Sequence, residues 1–217
     1  ASRLGIDAPG AYDVNSGCSG FVYALNIASA AVQSGQARNV LVVAAERFSG
    51  WLDMSDRSTC IILGDGAGAA VIGPSDTVAM GPVVWGSDGE KFDTVVIDPD
   101  TGFFRQEGQT VYRWATSKMA PVGLEACRRA GVEPKDLAAF VPHQANLRII
   151  DSIAKRLDVP AEIVARDIVT SGNTSAATIP LALSRMVERG EVPSGAPVLL
   201  LGFGSGLSYA GQVVLAP

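Results

Sequence analysis

The chain has 217 residues, 47% of them hydrophobic, with 24 glycines and a formal net charge of −5. Its length and hydrophobic content suffice for a sizeable core in one large or two small domains, and its acidic balance excludes a general nucleic-acid binder, which needs a concentrated basic surface. No run is apolar and long enough to cross a bilayer, no charged-then-apolar leader opens the chain, and the cysteines Cys18, Cys60 and Cys127 with one histidine lack disulfide or metal spacing, so a cytoplasmic protein without a metal is expected.

Short apolar runs alternate with helical periodicity along the chain. Residues 12–14 read as a strand, 19–33 as a helix and 39–45 as a strand parallel to the first, one βαβ unit. Val71, Val83, Val84 and the run 94–97 point to further strands, and 111–129 reads as a helix in which Pro121 is an awkward interruption. A strand at 138–141, a helix at 145–157, a strand at 164–168 and a helix at 175–188 follow, with strands at 198–201 and 208–215 closing the chain. The alternation predicts a layered α/β protein.

Laying the end of the chain over its beginning exposes a degenerate repeat. Asp13-Val14-Asn15-Ser16-Gly17-Cys18-Ser19 matches Ile168-Val169-Thr170-Ser171-Gly172-Asn173-Thr174. In each copy the helix ends near a glycine (Gly35, Gly190), an apolar strand follows, and a Gly-rich turn leads into a last strand. Those turns are Gly64-Asp65-Gly66-Ala67-Gly68 and Gly202-Phe203-Gly204-Ser205-Gly206. Two related halves put Cys18 and Asn173 at equivalent helix entrances, which a pseudo-twofold arrangement can face across one cleft.

Cys18 follows a Ser-Gly turn at a helix mouth, where unpaired N–H groups and the helix dipole favour a thiolate. An arbitrary cysteine is more often a small buried hydrophobe, and Cys60 and Cys127 keep that reading. His143, in Val141-Pro142-His143-Gln144-Ala145-Asn146, stands where a buried strand ends and a helix is about to begin, a place where α/β proteins put functional groups. Asn173 alone would be explained as a turn or cap residue, and only its pairing with the Cys18 position raises it.

The two Gly-rich strings do not fit a dinucleotide fingerprint, because each is followed by an apolar strand and not by a phosphate-cradling helix. They read as tight turns, with a backbone N–H near Ser205 available as an oxyanion donor. The order Cys, His, Asn also fits a papain-like thiol hydrolase. Against that stand the missing Cys-Gly-Ser/Ala-Cys-Trp/Tyr string and the duplicated α/β pattern.

Taken together, Asp13 to Phe21, Asp56-Arg57-Ser58-Thr59, Gly64 to Ala69, Val141 to Ile149 and Ser171 to Ala177 resemble the motifs of 3-oxoacyl-[acyl-carrier-protein] synthase III in order and spacing along the whole chain. Gln106-Glu107-Gly108-Gln109 before a Tyr-Arg-Trp helix is most similar to actinobacterial members, among them priming synthases of aromatic polyketide pathways.

The resemblance implies an α/β thiolase-like fold of two pseudo-duplicated halves in five layers (αβαβα), the first half ending near residue 100 and the second covering 101–217. It also implies a cofactor-independent acyltransferase, usually a homodimer, whose partners are an acyl-CoA and malonyl-acyl carrier protein. Cys18 would carry the acyl group, with the backbone N–H groups of Cys18 and Ser205 as its oxyanion hole. His143 and Asn173 would promote decarboxylation of malonyl. Arg57, Gly108, Tyr112 and Asn146 match positions lining the coenzyme A entrance, and Arg148, Lys155 and Arg156 match the basic surface that meets the carrier protein. A solvated charged face is the plainer reading of those three cations.

A single histidine separates the chain from elongating ketoacyl synthases, and the absence of a late Cys-Gly string separates it from thiolases. Chalcone-synthase-like type III polyketide synthases, which share Cys, His and Asn, and a non-catalytic scaffold on the same fold are the alternatives. The family begins with a further βαβ region that has no counterpart in these residues, so part of the first half is expected to be missing, and the segment alone is expected to fold poorly and be inactive.

Overall fold

The computed structural model describes residues 1–217. Its first regular helix, α1 (Gly20–Gln33), buries Phe21, Val22, Leu25 and Ala28. It packs on a two-stranded antiparallel pair, β1 (Val40–Arg47) and β2 (Asp65–Ile72), with Val40 opposite Ile72 and Arg47 opposite Asp65. A four-stranded sheet forms the centre in the order β3 (Val84–Ser87), β8 (Ser208–Leu215), β7 (Pro197–Gly204) and β6 (Ala139–Pro142). β6 and β7 run parallel, and β8 runs antiparallel to both β7 and β3. A small hairpin, β4 (Val95–Ile97) with β5 (Phe104–Gln106), leads into the long helix α2 (Gly108–Ala130).

Three more helices complete the chain: α3 (Leu147–Leu157), the single turn α4 (Ile168–Ser171) and α5 (Thr178–Glu188). α2 and α3 cover one face of the central sheet, where Trp114, Met119, Ile150 and Ile153 meet Phe140, Leu199 and Leu201. α1 and α5 cover the other, where Val22, Leu25, Ile179 and Met186 meet Val141, Leu200 and Ala210. Both faces of β6 and β7 are therefore buried, which explains their uninterrupted apolar runs. The β1–β2 pair lies beyond α1 and α5, giving the layer sequence helix, sheet, helix, sheet. The outer face of that pair carries Leu41, Val43 and Val71, all exposed.

Two expected strands are absent. Residues 12–14 carry no strand pairing and are largely exposed, so no parallel partner lies beside β1, whose only pairing is the antiparallel one with β2. Residues 164–168 make one isolated bridge, Phe140 with Val164, before turning into α4, because Arg166 and Asp167 interrupt the apolar run. Pro121 does not break α2. It faces solvent, and the carbonyl it deprives of an N–H donor belongs to the exposed Ser117, where water can replace it.

The glycines of the repeat explain how the halves dock. A Cβ on Gly66 would come 2.8 Å from Thr174 Cγ2, and one on Gly68 would come 2.8 Å from Pro180, so the first half's Gly-rich strand lies against the Asn173 turn and α5. Reciprocally, a Cβ on Gly202 would come 2.9 Å from Ser19 Cα, so the second half's strand lies against the Cys18 turn. The turn at each half's helix entrance rests on the other half's glycines, because only a residue without a side chain admits backbone that close.

Candidate active site

Cys18 occupies a short 3₁₀ turn, Gly17–Ser19, that opens into α1. Gly17 takes φ 49, a left-handed conformation that glycine tolerates, and this brings Cys18 round towards the end of β7. A hydroxyl cluster pins the turn: Ser16 Oγ lies 2.9 Å and Ser208 Oγ 2.8 Å from Ser19 Oγ, and Ser208 Oγ donates to the Ser205 carbonyl at 2.7 Å.

His143 directly follows β6, and its backbone N–H donates to the Leu201 carbonyl at 2.8 Å, continuing the parallel ladder by one residue. Its ring is buried and meets Phe203 edge-on, with centroids 5.3 Å apart and planes at 77°. Nδ1 lies 2.8 Å from Thr178 Oγ1. Asn173 is held between the halves: its N–H donates to the Ile62 carbonyl at 2.9 Å and its carbonyl accepts from Gly64 N–H at 3.0 Å. Its side-chain Oδ1 accepts from Ser175 N–H at 2.9 Å. With the oxygen engaged there, the amide NH2 remains as the free donor.

Cys18, His143 and Asn173, drawn from three separate stretches of sequence, line one cavity of ≈ 220 Å³ together with Phe203 and Gly204. The site lies at the carboxyl ends of β6 and β7, where α/β sheets open towards ligands. Burial drops the His143 pKa to about 3, against a slight upward pull from the Ser175 carbonyl, so the imidazole is neutral. Burial also raises the Cys18 thiol, and Glu46 adds to that. The Ser175 hydroxyl and the backbone N–H groups of Ser205 and Cys18 pull the other way. The net direction is upward, contrary to the thiolate expected from a helix entrance, because desolvation outweighs those donors.

Among the other sequence-predicted positions, Gly108, Tyr112 and Asn146 line the same cavity. Asn146 also caps α3, its Oδ1 accepting from Arg148 N–H at 2.9 Å. Arg57 is exposed and outside the lining, which its neighbour Ser58 joins instead. Arg148 borders a second, open groove that shares Ile62, Ala145 and Asn146 with the cavity. Lys155 and Arg156 project from the exposed side of α3, where Arg156 Nη1 donates to the Thr116 carbonyl at 2.7 Å. Ser205 N–H points at the cysteine sulfur while its hydroxyl donates to the Val95 carbonyl at 2.9 Å.

Sequence reasoning passed over Ser175 and Thr178. Ser175 holds φ 50, a left-handed conformation uncommon for a residue with a side chain, and it is almost wholly buried. The signal available was the place of Ser175 in the string Ser171 to Ala177, just past the repeat, with Thr178 the next residue after that string.

Residues 12–89 match the family model described as 3-oxoacyl-[acyl-carrier-protein (ACP)] synthase III, and residues 127–215 match the model of its C-terminal region. A Streptomyces coelicolor protein named beta-ketoacyl-[acyl-carrier-protein] synthase III 4 is 52% identical over 220 residues, covering 100% of this chain and 70% of the relative. The solved priming β-ketosynthase of the R1128 polyketide biosynthetic pathway superposes with TM-score 0.95 at 48% identity, over 100% of this chain and 68% of that one. A solved beta-ketoacyl-[acyl carrier protein] synthase III from Thermus thermophilus gives TM-score 0.94 at 41% identity, over 99% and 70% respectively. No helix is long and apolar enough to cross a membrane.

Proposed function

The chain belongs to the 3-oxoacyl-[acyl-carrier-protein] synthase III family, and on that premise we propose that it condenses an acyl-CoA starter with malonyl-acyl carrier protein, Cys18 carrying the acyl group between the two stages. The product is a 3-oxoacyl-acyl carrier protein, and the reaction begins fatty acid or polyketide synthesis. The observation that carries this reading is the convergence of Cys18, His143 and Asn173 on one cavity.

In the first stage the Cys18 sulfur attacks the acyl-CoA carbonyl, and the S–C bond of the new thioester forms as coenzyme A leaves with the thiol's proton. Ser205 and Cys18 backbone N–H groups hold the tetrahedral oxyanion. In the second stage malonyl loses carbon dioxide, and the electrons of the broken C–C bond move onto the thioester oxygen. A neutral His143 and the Asn173 amide hydrogen-bond that oxygen as it becomes an enolate, a contribution of about 3 kcal/mol per donor in a water-poor site. The enolate carbon then attacks the Cys18 thioester, forming the new C–C bond as the S–C bond breaks and releasing the cysteine as a thiolate, which takes a proton from water to restore the thiol. No cofactor enters either stage.

Gly108, Tyr112 and Asn146 line the path of the coenzyme A arm, with Arg57 at its outer end. Arg148, Lys155 and Arg156 supply the cationic face for an acidic carrier protein, a local patch on a chain whose overall charge is −5. A cytoplasmic homodimer completes the reading.

Intact-protein mass spectrometry of the full-length protein after incubation with a panel of acyl-CoAs tests it. An acyl adduct that disappears in Cys18→Ser is the expected result and names the starter. A folded protein that takes no adduct from any acyl-CoA overturns the acyl-CoA starter and favours a scaffold on the same fold.

A further inference from the structure

Thr178, the first residue of α5, is a buried polar side chain that the chemistry above does not employ. Its Oγ1 lies 2.8 Å from His143 Nδ1 and 2.8 Å from the Ser175 carbonyl oxygen. A hydroxyl has one proton and can donate along only one of those lines. A neutral imidazole also has a single N–H, on whichever nitrogen its partner selects.

Two arrangements satisfy these constraints. In one, Thr178 donates to the Ser175 carbonyl, Nδ1–H donates to Oγ1, and Nε2 is left as a bare lone pair. In the other, Thr178 donates to Nδ1 and the ring proton sits on Nε2. The second leaves no buried acceptor unpaired, because the Ser175 carbonyl still receives the Thr178 backbone N–H. It is also the arrangement decarboxylation needs. A bare Nε2 facing an oxygen that gains negative charge repels it, whereas Nε2–H stabilises it.

We propose that Thr178 is a positioning residue that selects the Nε2–H form of His143 by donating its hydroxyl proton to Nδ1, so that the imidazole meets the malonyl thioester oxygen as a hydrogen-bond donor. The proposal rests on the decarboxylating role assigned to His143 above. Ser175 is the common anchor. Its N–H fixes the oxygen of the Asn173 amide and so frees the NH2, and its carbonyl receives the Thr178 backbone N–H at the start of α5. One turn, Asn173 to Thr178, thus orients both donors of the decarboxylation site.

The test is nitrogen NMR of the full-length protein labelled with ¹⁵N-histidine, the His143 signals being assigned by their loss in His143→Asn. Wild type shows a protonated Nε2 and an unprotonated Nδ1. Thr178→Val, which keeps the shape and removes the hydroxyl, takes away the donor that keeps Nδ1 unprotonated and moves the proton to Nδ1. In the same variant kcat for malonyl-acyl carrier protein decarboxylation falls about a hundredfold, with KM and the rate of Cys18 acylation within about threefold of wild type. Thr178→Ser restores both the tautomer and the rate. A protonated Nδ1 in wild type, an unchanged tautomer in Thr178→Val, or a serine variant as defective as valine overturns the proposal. Should Thr178→Val not fold, the wild-type spectrum and the serine variant decide. The nitrogen spectrum does not depend on turnover, so a protein that fails to acylate Cys18 refutes the functional reading separately.

Discussion

Gly204 stands so close to Cys18 that a Cβ on the glycine would come 2.7 Å from the cysteine Cβ and 3.0 Å from its sulfur. The two residues lie 186 positions apart in sequence, one at the end of β7 and the other in the turn before α1. The second half's strand is therefore the floor beneath Cys18, whose position is set by a contact that tolerates no side chain.

Gly204→Ala is expected to displace Cys18 and slow its acylation at least tenfold, with a loss of about 1–3 kcal/mol in stability from overpacking. Acyl-adduct formation followed by mass and denaturant unfolding check the two effects. Acylation at the wild-type rate would show that the turn can give way.

The proposed division of labour separates the three central residues. Cys18→Ala should abolish acyl transfer and spare malonyl decarboxylation. His143→Ala and Asn173→Ala should each lower decarboxylation about a hundredfold or more while leaving acyl-enzyme formation nearly intact. Carbon dioxide release and adduct mass, measured on the same preparations, report the two stages, and equal loss of both in either donor variant contradicts the division.

His143 makes folding stability depend on pH. Its ordinary pKa of 6.5 falls to about 3 in the folded protein because of burial. Below about 6.5 the unfolded chain takes up a proton that the native state refuses, so the stabilisation is full above that pH and is lost as pH falls towards about 3, by about 1.4 kcal/mol per unit. Urea unfolding midpoints measured from pH 7 to pH 4 should fall more steeply for the wild type than for His143→Gln, which has no proton to gain. Parallel curves would mean that the ring is hydrated in the folded state.

Arg148→Glu and Lys155→Glu should raise the KM for malonyl-acyl carrier protein about tenfold or more, the effect shrinking with added salt, and leave acylation by acyl-CoA unchanged. Arg156→Glu should also cost stability, because it breaks the bond to the Thr116 carbonyl on α2. Initial rates at two salt concentrations and thermal unfolding distinguish the three variants. Equal KM values across them would return this patch to an ordinary solvated face.

The elements with strong periodicity were legible beforehand. α1, β1, α2, α3, α5, β7 and β8 fall within a few residues of their expected places, since alternating burial dictates the spacing of apolar side chains. Residues 12–14 and 164–168 misled because short apolar runs are equally compatible with loops, and only a hydrogen-bonded neighbour makes a strand. Of the residues that line the cavity, Cys18, His143 and Asn173 were marked by motif, by uniqueness and by the repeat. Ser175 and Thr178 carried no mark of their own. What Ser175 does depends on a left-handed φ, and what Thr178 does depends on a contact with a residue 35 positions away.

By itself the sequence determined the α/β class, the turn, helix and two following strands that occur twice, and the residue types capable of acyl transfer. Those follow from local periodicity and from the chemistry of each side chain. Tertiary structure alone decided that the halves interlock through their glycines, that Cys18 is pushed up in pKa and not down, and which hydroxyl addresses the imidazole. Distances and desolvation arise only when segments far apart in the chain are packed together, and both set the protonation states on which the chemistry depends.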